Sequence, residues 1–146
     1  MKDSDFKSFQ SLKVWKLARK IRREIFELCK RLPKEEKYKL IDQMIRSSRS
    51  IGNNIAEGYG RYHFQENIQY CRQSRGSQYE LIDHLITALD CNYIQVEDYS
   101  QLIEQLEECI KMTNGYIAYL NRKKSDYNIK EDPIDYNPTG LESEQT

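Results

Sequence analysis

The chain has 146 residues, 23 Lys/Arg against 23 Asp/Glu and a mean hydropathy of −0.85, which implies one domain with a core, while 11 % aromatic content excludes a wholly disordered protein. No apolar run approaches the ~18 residues of a membrane span, and Met1-Lys2-Asp3-Ser4-Asp5 lacks a signal peptide's apolar region, so a cytoplasmic location without membrane attachment is expected. Neutrality hides a division, since residues 1–79 carry 18 Lys/Arg against 9 Asp/Glu and residues 80–146 carry 5 against 14; a basic face or head-to-tail self-assembly both fit that pattern.

Four amphipathic stretches follow one another without strand-like alternation. The first runs from about Phe9 to Leu32 through Leu12, Trp15, Ala18, Ile21, Ile25, Leu28 and Leu32, flanked by Val14, Leu17 and Phe26, and Pro33 ends it. The second runs from about residue 35 to 57, its start marked by Glu35 and Glu36 near the positive helix end. Its expected stripe is Tyr38, Ile41, Ile45, Ser48, Gly52 and Ile55, narrowing to small residues where another helix must come close.

Gly58 suits a left-handed residue just past a helix end, and Gly60-Arg61-Tyr62 leads to a third helix from about Phe64 to Asn92. Phe64, Ile68, Cys71, Gln78, Leu81, Ile82, Leu85 and Leu89 mark its inner side. Gly76 inside this helix costs about 1 kcal/mol relative to alanine, so a second close backbone approach is expected there. The fourth helix runs from about Glu97 to Arg122 through Tyr99, Leu102, Leu106, Cys109, Thr113, Tyr116 and Leu120.

Helices of ~25 residues span ~38 Å, and short connections make them antiparallel neighbours. The pattern therefore predicts an all-α, up-down-up-down antiparallel four-helix bundle over residues 1–123. Residues 124–146, with few apolar residues and mostly acidic charge, are expected to form a disordered tail.

Chemistry-bearing constellations are sparse. Cys29, Cys71, Cys91 and Cys109 are widely separated and form no C-x-x-C pair, so reduced thiols with neither metal nor cofactor are expected. His63 and His84 are the only histidines. Glu80, Asp83 and His84 cluster on the third helix without a symmetric partner on another, and no nucleophile elbow occurs, so no enzyme is expected.

Asp42, Arg46, Arg49, Asn53 and Glu57 recur at helical spacing, with Arg61, Arg72 and Arg75 close by in the chain. They read as an ion-pair network at a subunit interface, as a phosphate-contacting ridge, or as a solvated face. The network reading fits Glu57 and Arg61 best; the ridge fits the more amino-terminal arginines. The first helix offers Lys13, Lys16, Arg19, Lys20, Arg22, Arg23, Lys30 and Arg31 for phosphate contact, against the bland reading of a solvated lysine-rich face. Tyr59, Tyr62 and Tyr70 surround the glycine turn, where core or interface packing outweighs base stacking.

Several separated motifs occur in order: Leu12-Lys13-Val14-Trp15, Leu32-Pro33 with Glu36 and Tyr38, Gln43, Asn54-Ile55-Ala56-Glu57-Gly58 with Gly60-Arg61, then Arg75-Gly76-Ser77 with Glu80-Leu81. From about Phe9 to Leu120 the chain resembles the bundle proteins encoded in intervening sequences of 23S ribosomal RNA genes. That family includes accessory proteins of diversity-generating retroelements. The resemblance implies a left-handed bundle assembling as a ring-shaped homopentamer without enzymatic activity. Its retroelement branch implies binding to RNA and to a reverse transcriptase through a positive surface. This chain departs from that branch in its acidic second half, and from many relatives in carrying His63 where a capping Ser stands.

The combined expectation is a non-enzymatic ring that binds RNA or a ribonucleoprotein through Lys13, Lys16, Arg19, Lys20, Arg23, Arg46, Arg49 and Arg72. Gly52, Asn54, Glu57, Gly58, Arg61, Arg75 and Gly76 are expected to form an interface or structural network. The competing expectation is a protein-interaction scaffold whose charge segregation serves self-assembly alone.

Overall fold

Four α-helices make up the computed structural model, which describes residues 8–131; among those residues there is no strand. They are α1 (Lys13–Cys29), α2 (Leu40–Tyr59), α3 (Phe64–Asp90) and α4 (Val96–Glu131), with short 3-10 turns at Phe9–Ser11 and Lys34–Glu36. Each helix packs against its two neighbours, α1 on α2 and α4, α3 on α2 and α4, which is the square arrangement of a four-helix bundle. Ile21, Ile25, Met44, Ile51, Ile55, Ile68, Leu81, Leu85 and Leu106 fill its centre.

The helix starts differ from the periodicity reading for local reasons. Instead of one helix from Phe9, Ser8 caps a 3-10 turn through Gln10 N–H (3.1 Å), and Leu12 is extended. Phe9 then packs edge-on against Trp15, ring centroids 5.1 Å apart, fixing the angle at which α1 begins. After Cys29 the chain makes three short-range turns to Leu32 before Pro33.

The α2 start moves from about residue 35 to Leu40 because Glu36 acts as an external cap. Its Oε1 accepts the Leu40 N–H at 3.2 Å, while its Oε2 accepts the Tyr93 hydroxyl proton at 2.9 Å. These bonds hold its carboxyl below the usual range, the Tyr93 bond contributing most. Tyr38 consequently lies outside the helix and is 82 % exposed rather than in the core.

Burial on α2 centres on Leu40, Met44, Ser47, Ser48, Ile51, Gly52, Ile55 and Gly58, with Ile41 and Ile45 at the margin. A helix flanked by two neighbours buries a broad face, and periodicity alone misplaces its midline. The two expected glycine roles also change. Gly58 lies inside α2, and the chain leaves the helix at Gly60 with φ −80°, so no left-handed residue is needed. A β-carbon at Gly58 would meet Asn67 Oδ1 at 2.6 Å and Tyr70 Cβ at 2.9 Å, so this glycine admits α3. Gly76, by contrast, is exposed and meets nothing within 4 Å, so the contact with α2 at this point is made by its neighbour Ser77 and not by the glycine.

The tight α2–α3 contact is made two residues earlier, where Ser74 Oγ donates to the Ile51 carbonyl at 2.8 Å. Gln78 continues this seam by donating to Ser74 Oγ (3.2 Å) and Thr113 Oγ1 (2.9 Å), tying α3 to both α2 and α4. At the other end of α3, Asn92 takes the left-handed conformation (φ 62°). Asn92 N–H bonds to Leu89 O and Tyr93 N–H to Ala88 O, both at 2.9 Å, closing a Schellman turn.

α4 continues past the expected end at Arg122 to Glu131, since no Gly or Pro stops it before Pro133. Residues 124–131, expected in the tail, are therefore helical, and Lys124 Nζ donates to Gln65 Oε1 at 2.7 Å. Residues 132–146 of the expected tail lie outside the described residues.

Candidate functional site

α1 carries six Lys/Arg against two Glu. Its buried stripe (Val14, Ala18, Ile21, Ile25, Leu28) fixes the inward side, so the cations are driven outward and toward the flanks. Lys16, Arg19, Lys20 and Arg23 line one shallow cleft with Glu24. A second groove of about 470 Å³ lies between α1 and α2, lined by Arg22, Arg23, Phe26, Glu27, Ile45, Ser48 and Arg49.

Ion pairing sorts these cations. Lys20 pairs with Glu24 at 3.0 Å, Lys30 with Glu27 at 3.2 Å, Arg31 with Asp98 at 3.2 Å and Arg46 with Asp42 at 3.6 Å. Arg19 lies 5.7 Å from the Trp15 ring. Lys13, Lys16, Arg22, Arg23 and Arg49 form no ion pair among the described residues. Their charges face solvent uncompensated at short range, a potential suited to an anionic partner.

The structure thus gathers Lys16, Arg19, Lys20, Arg23 and Arg49 from the expected nucleic-acid set and keeps Lys13 exposed on the same helix. It sets Arg46 aside with Asp42. Arg72 stands on α3, which packs against α2 and α4 rather than α1, so it does not join the groove. Sequence reasoning treated Phe26 as an apolar flank and did not place it beside Arg22. In the fold Phe26 is 45 % exposed, with the Lys30 ammonium 4.9 Å from its ring centroid. The available signal was its position off the α1 stripe, next to two arginines.

The second expected set makes contacts within the chain. Gly52 faces Trp15, whose Nε1 stands 3.4 Å from where a β-carbon would sit. Asn54 Nδ2 donates to Ser50 O and Oγ, both at 2.9 Å, and Ser50 Oγ lies 2.8 Å from Ser77 Oγ. Arg61 donates to Glu57 (2.9 Å) and to the Tyr70 hydroxyl (2.7 Å), with its guanidinium 5.0 Å from the Tyr70 ring. Arg75 donates to Asn114 of α4 at 2.6 Å. Gly76 contributes nothing to this network.

Around the glycine turn, Tyr59 is 36 % exposed and Tyr62 83 %, so neither is a core residue in the single chain. His63 stacks edge-on with Tyr62 at 4.8 Å and starts α3 without a side-chain capping bond. His84 pairs with Glu80, 3.3 Å away on its own helix. Burial pushes the thiols of Cys71 and Cys109 up to about 12 and that of Cys29 up to about 11, while Cys91 is exposed. Among the described residues no cluster of His, Cys, Asp or Glu is arranged to hold a metal, and no helix is long and apolar enough to cross a membrane.

A four-helix bundle with a basic first helix and a polar α2–α3 seam is the class that this geometry defines. Residues 10–115 match the sequence model of the 23S rRNA-intervening sequence protein family, and the chain belongs to that family. Its fold is similar to a crystal structure from Bacteroides thetaiotaomicron, described as a protein with unknown function from the S23 ribosomal protein family. That similarity has a TM-score of 0.67 at 25 % identity, covering 71 % of this chain and 97 % of the other. No curated protein matches the sequence.

Proposed function

We propose that this protein is a non-enzymatic, ring-forming bundle of the cytoplasm that binds RNA, or a ribonucleoprotein partner such as a reverse transcriptase, through α1 and the adjoining edge of α2. The carrying observation is that Arg22, Arg23 and Arg49 converge on one groove, and none of them forms an ion pair among the described residues. Glu27, the carboxylate on that groove, is engaged by Lys30. Membership in a family named for intervening sequences of 23S rRNA supports an RNA partner. Ring assembly, pentameric by family resemblance, multiplies weak phosphate contacts through effective concentration. Burial holds the Cys29, Cys71 and Cys109 thiols protonated, which makes those three poor nucleophiles. Four free thiols suit a reducing compartment.

Filter binding across a salt series tests this reading. Neutralising about five phosphates gives a log–log salt slope of roughly −4, and Lys16→Glu with Arg23→Glu should lower affinity at least tenfold with helical content unchanged. No retention of RNA at low salt would remove the reading. A second reading, a scaffold whose segregated charges serve self-assembly alone, is favoured by the 18-to-9 and 5-to-14 split of the two chain halves. It predicts charge-reversal variants that change oligomer mass without any RNA retention to lose.

A further inference from the structure

We infer that the α1–α2 groove receives an unpaired base of the bound strand, so the protein selects bulged or single-stranded RNA over a continuous duplex; this rests on the RNA reading above. The groove differs in kind from the outer α1 cleft. The cleft mixes Lys16 and Lys20 with Arg19 and Arg23, whereas the cations lining the groove are arginines, with Lys30 at its edge on the Phe26 ring and Glu27. Lysine supplies a point charge to any phosphate, but a guanidinium also forks onto phosphate oxygens and stacks on planar rings.

Between these arginines lie Phe26 and Ile45, and Phe26 remains 45 % exposed although α1 otherwise hides its large apolar residues. A volume of about 470 Å³ lies within the usual range of small-ligand sites. One nucleotide satisfies both features together: the base displaces the exposed Lys30 ammonium from the Phe26 ring, and its flanking phosphates meet Arg22, Arg23 and Arg49. An A-form duplex keeps its bases stacked inside and offers phosphates and hydroxyls alone, which leaves Phe26 wet. Stacking on an aromatic ring is tolerant of base identity, so the preference is for strand state rather than sequence.

The test compares three RNAs of equal length at one salt concentration: a fully paired hairpin, the same hairpin with one unpaired 2-aminopurine, and a single strand. The full chain should bind the bulged and single-stranded RNAs about tenfold tighter than the paired one, and quench the 2-aminopurine. Phe26→Ala, exposed and so compatible with folding, should lower bulged and single-stranded affinity about tenfold, to the paired-RNA level, and abolish the quenching; Phe26→Tyr should keep the preference and the quenching. Equal affinity for paired and bulged RNA, or an equal loss for both in Phe26→Ala, overturns this inference and leaves the RNA reading standing. A changed native mass in Phe26→Ala overturns it by giving the groove to a neighbouring subunit. Competition by oligoglutamate as strong as by bulged RNA overturns it by giving the groove to an acidic protein segment. Failure to bind any RNA removes both conclusions.

Discussion

Two glycines that look alike in the sequence should respond oppositely to alanine. In Gly58→Ala the new methyl would stand 2.9 Å from Tyr70 Cβ and 3.1 Å from the Asn67 carbonyl, besides 2.6 Å from Asn67 Oδ1. Tyr70 Cβ and the Asn67 carbonyl belong to the α3 backbone and its first side-chain atom, so no rotamer change removes them. Asn67 itself is held by the Cys71 thiol and by its own bond to the Tyr116 hydroxyl. α3 must retreat by about half an ångström, an overpacking penalty of about 1–3 kcal/mol. Against this stands the gain of about 1 kcal/mol from replacing a helical glycine by alanine. The net is a loss of up to about 2 kcal/mol, or a Tm lower by up to about 10 °C for a domain of this size. Gly76→Ala has the helical gain alone, since nothing lies within 4 Å, and should raise Tm by about 3–5 °C. Thermal unfolding followed by circular dichroism at 222 nm reads both. A Gly58→Ala protein stabilised as much as Gly76→Ala, or a Gly76→Ala protein less stable than the parent, would refute the assigned packing of α2 on α3.

Glu36→Gln should flatten the acid limb of stability: a carboxyl lowered from 4.5 contributes fully above that pH and loses its contribution as pH falls through the lower folded value. Melting temperatures from pH 6 to 3 that run parallel in parent and variant would disprove the cap. Burial raises Cys71 and Cys109 from 9.0 to about 12, so their stabilisation holds below pH 9 and disappears as pH climbs through 12. At neutral pH a thiol reagent should titrate one group, Cys91, in the native protein and the other three after unfolding; rapid native reaction of more than one would contradict the burial of Cys29, Cys71 and Cys109.

Helix number and order were legible because α1, α3 and α4 each repeat apolar residues at spacings of three and four, and because Pro33, Gly60 and Asn92 interrupt them. Ala18, Ile21, Ile25, Leu28, Ile68, Leu81, Leu85, Leu106 and Leu120 are buried where that spacing put them. What was not legible depended on partners distant in sequence. The α2 start is set by Glu36 with Tyr93, 57 residues away. The meaning of each glycine depends on the facing helix's register, which places Asn67 and Tyr70 at Gly58 and leaves Gly76 on the outside. The α1 cations were legible as a set; their division into paired and unpaired groups needed the neighbours in three dimensions. The groove was least legible, since Phe26 and Ile45 come from different helices.

The neutral total and a sequence pI near 6.7 do not argue against a basic binding surface, because the cancelling charges are not where the cations are. Glu24 and Glu27 are the only acids of α1, and each already holds a lysine. α4, the acid-rich neighbour, meets the α1 end through Arg31–Asp98 and through Gln105 donating to Glu24 at 2.8 Å. Both contacts are on the side of α1 away from Arg49. Bundle helices lie ~10 Å apart, while charges are screened within ~8 Å at physiological ionic strength, so acids on α4 and α3 weaken the field at Arg22 and Arg49 only slightly, whereas Arg23 also lines a pocket with Glu24, Glu27 and Asp98. The potential that a partner meets in the α1–α2 groove is therefore set mainly by Arg22 and Arg49, with Arg23 partly offset by its acidic neighbours, and whole-chain charge predicts it poorly.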